Sequence, residues 1–146
     1  MDATLQAMIC AEALSWVGTP YHHKARIKGV AVDCGQLLAA VFCDALQLVR
    51  EPDVGDYPPD WMKHRSEERF LQALQTCARE VFTPEPGDIA IWMWGRCFAH
   101  AAIIIDWPMA VHADIRVGKV TPADVSQGRF AARPVQFYRV NVGGEA

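Results

Sequence analysis

Long hydrophobic runs and an excess of positive charge are both missing from this sequence. The longest apolar stretch covers residues 98–105 and is interrupted by His100. It is far shorter than the roughly 20 residues that span a membrane. Lysine and arginine number 14 against 17 aspartate and glutamate residues, which gives a formal net charge of -3. Because duplex binding usually needs a basic face, we expect neither a membrane protein nor a nucleic-acid-binding protein.

The start of the chain also lacks the basic segment and the uninterrupted apolar run of a secretory signal peptide, since Asp2 follows Met1 and Glu12 breaks the run. CxxC pairs are absent as well. The cysteines, at positions 10, 34, 43, 77 and 97, are odd in number and widely spaced, unlike a disulfide framework. We therefore expect a protein made in a reducing cytoplasm, in which one thiol has a chemical role.

The chain has helical spacing first and strand-like segments afterwards. Apolar residues recur every three or four positions in 3–17, in a segment that opens at Cys34, and in 61–81. After the turn at 84–88 come the predicted strands, at 89–94, 99–107, 110–113, 117–121 and 135–142. Helices followed by strands predict an α+β fold with an antiparallel sheet. The length suits one domain over 1–146.

Cys34 is the first candidate for a catalytic residue. Asp33 is a typical N-cap, so Cys34 is predicted to lie in the first turn of a helix, where the helix dipole favours negative charge. Such a position can lower a cysteine pKa from about 8.5 to roughly 3.5–7.5. The first-turn N–H groups could also hold an oxyanion. The alternative is a small core residue, as free cysteines usually are. The cysteines interpreted in that second way are Cys10, Cys43 and Cys77.

A cysteine nucleophile needs a base, and the base needs a third group to orient it. His100 lies among small and apolar residues, where an unpaired histidine is unfavourable. His112 lies on the next predicted strand, and antiparallel neighbours could bring the two side chains together. Each one alone could equally be a satisfied core residue, but the pair, downstream of Cys34, favours a site. His22 and His23 could line a cleft or lie in a solvated loop.

Five short motifs follow one another along the chain. They are Gly18-Thr19-Pro20-Tyr21, Asp33-Cys34, Pro86-Gly87-Asp88, His100-Ala101-Ala102-Ile103 and Val111-His112-Ala113. In this order and spacing they resemble the NlpC-type cell-wall endopeptidases, a papain-like family. The details are most similar to a branch found in phages and gene-transfer particles. The motifs for that branch are Pro20-Tyr21-His22-His23, Val32-Asp33-Cys34 and Tyr57-Pro58-Pro59-Asp60-Trp61.

The resemblance implies a papain-like α+β fold and hydrolysis of peptidoglycan stem peptides, usually between γ-D-glutamate and a diamino acid, with no cofactor or metal. It implies that Cys34 is the nucleophile, His100 its base, and His112 the residue that orients the base. We expect His100 to take the Cys34 proton and form an ion pair, with a thioacyl-enzyme then hydrolysed by water. The residues predicted for substrate and oxyanion contacts are Tyr21, Asp33 and Gly35. The chain departs from the family in having Gly35-Gln36 where Ser-Gly is common.

Two other functions fit parts of the sequence. One is a catalytically silent structural or assembly subunit of a phage tail, which would keep the fold without the chemistry. The other is a metal site built from Cys97, His100 and His112, since cysteine and histidine suit zinc. The phage-like motifs also predict phage-tail proteins as partners, besides peptidoglycan stem peptides. They predict action at the bacterial cell wall as a phage or prophage product.

Overall fold

The computed structural model describes residues 1–53, 69–95 and 97–142. Its helices are α1 (Ala3–Leu14), α2 (Cys34–Ala39), which continues as a π-helix (Ala40–Ala45), and α3 (Arg69–Gln75). Its strands are β1 (Arg26–Ile27), β2 (Ala31–Val32), β3 (Ala78–Val81), β4 (Ile89–Trp94), β5 (Cys97–Asp106), β6 (Met109–Asp114), β7 (Lys119–Asp124) and β8 (Val135–Val140). A 3-10 turn (Gly128–Phe130) precedes β8. No helix in those three ranges is long and apolar enough to cross a membrane.

Strands β3 to β8 form one antiparallel sheet in the order β3-β8-β4-β5-β6-β7, and β1 and β2 form a separate hairpin. Helices followed by an antiparallel sheet confirm the predicted α+β fold. Strand β4 has the predicted bounds, and the other four predicted strands differ only at their ends. The first helix is shorter than predicted, because it ends at Leu14.

The helix predicted over 61–81 is wrong at its C-terminal end. Helix α3 stops at Gln75, and Ala78–Val81 is strand β3, which pairs with β8 from Ala78↔Val140 to Val81↔Phe137. Alanine and glutamate are good helix formers, but the ladder with β8 outweighs that local preference. Residues 61–68 lie outside the described residues, and so does the phage-like motif at 57–61.

Helices cover one face of the sheet, and this packing positions the N-terminus of α2. Leu37, on α2, is buried in one core cluster with Ile9 of α1 and with Ile103 and Val111 of the sheet. Helix α2 contacts β5 and β6 directly. Its first residue, Cys34, is therefore held close to the two strands that carry His100 and His112.

The Pro86-Gly87-Asp88 motif ties the turn before β4 to β8. Asp88 is fully buried, and its carboxylate accepts two hydrogen bonds of 2.8 Å from the Arg139 guanidinium and a third from the Glu85 N–H. Gly87 has a φ of 88°, a conformation that favours glycine. The motif is thus explained by the fold, because it fixes the start of the central strand β4.

Candidate active site

Cys34 opens α2, as the sequence predicts. Asp33 is the N-cap, and its Oδ1 accepts a hydrogen bond of 2.8 Å from the Gln36 N–H. The Cys34 side chain is partly buried and lines a cavity that is also bounded by Tyr21 and His100. Its Sγ donates a weak hydrogen bond of 3.7 Å to the carbonyl of Ala99. The thiol is therefore accessible from the same cavity as His100, but its hydrogen bond goes to the backbone beside His100 and not to the imidazole.

The two predicted histidines are in direct contact. His100, on β5, and His112, on β6, are joined by a hydrogen bond of 2.9 Å between Nε2 of His100 and Nδ1 of His112. Strand pairing at Ile103↔Val111 makes them diagonal neighbours on one face of the sheet. Their rings meet edge to face, with 5.1 Å between centroids. His112 therefore fixes the orientation of the His100 ring.

Aromatic side chains that the sequence analysis did not single out enclose the His100 ring. The centroids of Trp94, Phe130 and Trp92 lie 4.9, 5.9 and 6.2 Å from that of His100. Phe130 comes from the 3-10 turn, which folds back over the sheet. The Arg133 guanidinium stacks 3.8 Å from the centroid of Trp94. His100 thus lies in a largely aromatic enclosure, against which the guanidinium groups of Arg129 and Arg133 pack.

The prediction that the helix terminus lowers the pKa of Cys34 is wrong. Burial of the thiol, and next the negative charge of Asp33, raise the pKa of Cys34 to about 12. Hydrogen bonding from the backbone N–H groups of Ala101, Gly35 and Cys34 itself acts in the opposite direction but does not outweigh burial. A buried thiolate loses its hydration, and a short helix end beside a carboxylate does not replace it. The resting thiol is therefore neutral.

The imidazoles are also neutral. Burial, and next the neighbouring His112, lower the pKa of His100 to about 3, and burial lowers the pKa of His112 to about 4. The thiolate–imidazolium ion pair expected from the sequence is therefore not the resting state of this site. A neutral imidazole has a free lone pair, however, so His100 can still accept a proton.

Asp33 and Gly35, which were predicted to contact substrate or oxyanion, have clear packing roles. Both carboxylate oxygens of Asp33 accept backbone N–H groups, from Gln36 at 2.8 Å and from Lys24 at 2.7 Å. This joins the loop before β1 to the start of α2. A Cβ at Gly35 would lie 2.8 Å from Cε2 of Phe70, so glycine permits that ring to pack there. Their contacts with substrate stay predictions.

Tyr21 and His23 both line the cavity, whereas His22 is exposed. Nδ1 of His23 lies 3.9 Å from Oδ2 of Asp33, which places His23 beside the N-cap. The cleft interpretation of the 22–23 pair therefore fits His23 but not His22. The substrate or oxyanion contact predicted for Tyr21 stays a prediction.

The metal-site hypothesis gains no support from the arrangement of side chains. Cys97 is fully buried at the start of β5, in a small cluster with Ala99. Across the described ranges, no group of three or more histidine, cysteine, aspartate or glutamate side chains is arranged to hold a metal ion.

Asp114 and Arg129, which lie behind the histidine pair, are not predicted as site residues from the sequence. Asp114 is buried at the end of β6, and its Oδ2 lies 3.8 Å from Nε2 of His112. The Arg129 guanidinium binds that same carboxylate. The spacing of His112 and Asp114 gave a usable signal, because residues two apart on a strand share a face. Arg129 gave none, since only the folded chain brings the 3-10 turn to β6.

No protein-family model and no curated protein sequence matches the chain. Solved structures do match. The NlpC/p60 domain of peptidoglycan hydrolase SagA has a TM-score of 0.61 and 21% identity, over 90% of this chain and 96% of that one. This chain has the NlpC/p60 fold. Another structure of this fold, from Staphylococcus aureus and described as similar to lipoproteins of the NLP/P60 family, has a TM-score of 0.68 and 19% identity. The match covers 96% of this chain and 42% of that protein.

The peptidoglycan hydrolase RipB from Mycobacterium tuberculosis shares the NlpC/p60 fold as well. Its TM-score is 0.64 at 17% identity, over 93% of this chain and 64% of that one. These likenesses confirm the fold predicted from the motifs. Within this fold, Cys34, the first residue of α2, and His100 line one cavity, and His112 is hydrogen-bonded to His100.

Proposed function

We propose that this chain is a cysteine peptidase that hydrolyses the stem peptides of peptidoglycan. The observation that supports it most is the cavity that both Cys34, the first residue of α2, and His100 line, with His100 hydrogen-bonded to His112. Two of the proteins with the same fold are described as peptidoglycan hydrolases. The fold suggests the class of substrate, and the side chains suggest nucleophilic catalysis.

Activation in this proposal begins from a neutral pair. Substrate binding turns the Cys34 thiol from the Ala99 carbonyl towards Nδ1 of His100, and the proton moves to Nδ1 as the sulfur attacks. Burial opposes a thiolate or an imidazolium formed alone, but the two formed together attract each other strongly in a medium of low dielectric constant. General-base catalysis during attack is therefore favoured over a preformed ion pair.

The remaining steps follow from where the charges develop. Attack forms the bond from sulfur to the γ-carbonyl carbon of D-glutamate, and backbone N–H groups of Cys34 and Gly35, next to the sulfur, stabilise the oxyanion. The intermediate collapses as His100 gives its proton to the leaving amine of the diamino acid. Water, deprotonated by His100, then hydrolyses the thioester and restores the thiol. We propose this bond on the basis of the sequence motifs.

A catalytically silent phage-tail subunit is the second candidate function. A neutral, partly buried thiol that is hydrogen-bonded to a backbone carbonyl is what an unused site would also contain. The motifs at 20–23 and 32–34 are the sequence basis for a phage or prophage origin. On the same basis we propose phage-tail proteins as partners and the bacterial cell wall as the place of action.

Digestion of purified peptidoglycan fragments, followed by mass spectrometry, distinguishes the two functions. Cys34→Ala is the test variant, and Cys43→Ala is its matched control because Cys43 lines the same cavity. We expect the native protein and Cys43→Ala to cut between γ-D-glutamate and the diamino acid, and Cys34→Ala to be inactive with its fold intact by circular dichroism. Undiminished cleavage by Cys34→Ala would refute the proposed nucleophile. No cleavage by any of the three would favour the silent subunit.

A further inference from the structure

A buried carboxylate lies directly behind the histidine pair. Asp114 and His112 are two residues apart on β6, so their side chains lie on the same face, and both are almost completely buried. Oδ2 of Asp114 lies 3.8 Å from Nε2 of His112, the ring nitrogen that does not bond to His100. This distance is too long for a hydrogen bond, but it is a close electrostatic contact where little water can screen it.

Asp114 is held in place from both sides. Its Oδ1 accepts the backbone N–H groups of Arg116 at 2.8 Å and Val117 at 3.4 Å, and its other oxygen binds the Arg129 guanidinium. Burial raises the pKa of Asp114, but the hydrogen bonds from Arg129, Arg116 and Val117 outweigh burial and hold it below its ordinary value. Asp114 is therefore a fixed negative charge in the resting site.

The position of the Asp114 carboxylate favours one tautomer in each of the two histidine rings. A carboxylate beside Nε2 of His112 favours a proton on Nε2, which leaves Nδ1 of His112 as an acceptor. The hydrogen bond of 2.9 Å between the two rings then requires that Nε2 of His100 carry the proton and donate it to Nδ1 of His112. The ring nitrogen of His100 left without a proton is Nδ1. A chain of three polar groups thus leaves Nδ1 as the basic nitrogen of His100, a residue that lines the same cavity as Cys34.

We propose that Asp114 is a positioning residue for the histidine pair. Its carboxylate fixes the tautomers of His112 and His100, so that Nδ1 of His100 is the base, and it stabilises the positive charge that the pair gains when Cys34 gives up its proton. This inference rests on the proposed peptidase. It supplies the negative charge that a histidine, as third member of the triad, lacks.

Besides Asp114, two arginines shift the pKa values of His100 and His112. Asp114 raises the pKa of both histidines, Arg129 lowers both, and Arg133 lowers that of His100. Asp114→Asn should therefore lower both imidazole pKa values further and release the tautomer preference. Arg129→Gln should act in the opposite direction, because it leaves the carboxylate in place and removes the cation that offsets it.

The test uses ¹⁵N NMR of the histidine side chains in a Cys34→Ala background, so the readout does not depend on turnover. We expect Nε2–H tautomers at both rings. In Asp114→Asn we expect a mixture at His112 and a lower His112 pKa. In Arg129→Gln we expect the tautomers to stay and the pKa to rise. Unchanged tautomers and pKa values in Asp114→Asn would mean that Asp114 only closes the turn, and would overturn the inference.

Kinetics on the catalytically competent chain provide the second readout. Asp114→Asn should lower kcat by about tenfold to a hundredfold with little change in KM, less than the loss of about 10⁴ seen when a carboxylate that touches the base is converted to its amide. Asp114→Glu should recover part of kcat. An equal loss in both variants would favour a structural role.

Should Asp114→Asn not fold, the pKa shift in Arg129→Gln decides, since an unchanged value there also overturns the inference. If Cys34→Ala keeps turnover, the proposed function fails whatever the tautomers are.

Discussion

Because the Cys34 thiol is neutral, we expect it to be alkylated slowly, by an amount that follows from its pKa. At pH 7 a thiol with a pKa of about 12 is ionised to about 1 part in 10⁵, whereas one at the ordinary value of 9.0 is ionised to about 1 part in 10². The lower ionised fraction alone therefore slows the alkylation of Cys34 about a thousandfold relative to an ordinary thiol. A more basic thiolate is a better nucleophile, with a Brønsted slope of about 0.4–0.5, and three pKa units recover about fifteen- to thirtyfold. We expect Cys34 to react about thirty to sixty times more slowly than an ordinary thiol.

The assay is iodoacetamide labelling of the folded protein, with each cysteine followed separately by mass spectrometry. An unfolded peptide of residues 30–38 is the reference, because it contains the same thiol without burial. We expect the Cys34 rate to rise about tenfold per pH unit up to the highest pH at which the fold survives. Fast labelling of Cys34 between pH 5 and 7, at a rate that does not change with pH, would show a preformed thiolate and refute the neutral pair.

Asp33→Asn is the matched variant for this assay. It removes the negative charge that helps to raise the Cys34 pKa and keeps a side-chain oxygen that can cap α2. We expect faster labelling of Cys34 than in the native chain. Labelling at an unchanged rate would mean that burial alone raises the pKa.

Three further predictions concern stability. Asp88→Asn removes the buried carboxylate that binds the Arg139 guanidinium, which keeps its ion pair with Glu85, and should lower the free energy of unfolding in urea by about 1–3 kcal/mol; a loss under about 0.5 kcal/mol would contradict this. Gly35→Ala should lower that free energy by about 1–3 kcal/mol through the contact with Phe70, and Phe70→Leu should recover part of it; no recovery would count against the contact. Because the pKa values of the two buried histidines lie below 6.5 in the folded protein, the unfolded chain binds protons first as the pH falls. As the pH falls below 6.5, the free energy of unfolding should therefore decrease by up to about 1.4 kcal/mol per pH unit for each histidine. His112→Gln should make this dependence on pH less steep. An unchanged dependence in that variant would contradict the lowered pKa values.

Local signals were enough to predict the parts of the site that depend on local structure. A capping residue followed by an apolar helical face located the start of α2 at Cys34, and an apolar run between a Pro-Gly turn and a glycine located β4. His100 and His112 were paired by the short connection between their strands. Each of these features depends on residues close in sequence, where turn and capping chemistry are readable.

The features that were missed depend on packing between distant parts of the chain. Strand β3 was predicted as helix because its partner, β8, lies far along the sequence. The Cys34 pKa was predicted in the wrong direction because the N-cap is visible in the sequence, whereas the burial that outweighs it is produced only by folding. Arg129 reaches Asp114 only once the 3-10 turn has folded over the sheet.

Trapping the acyl-enzyme tests most directly whether Cys34 is the nucleophile. A stem peptide with a γ-D-glutamyl–diamino acid bond is mixed with the native protein, quenched in acid at short times, and the digested protein is mapped by mass spectrometry. We expect the peptide that contains Cys34 to gain the mass of the acyl half of the substrate, and the adduct to disappear as the product accumulates. Cleavage of the stem peptide with no adduct on Cys34, or with the adduct on another cysteine, would contradict the proposed mechanism.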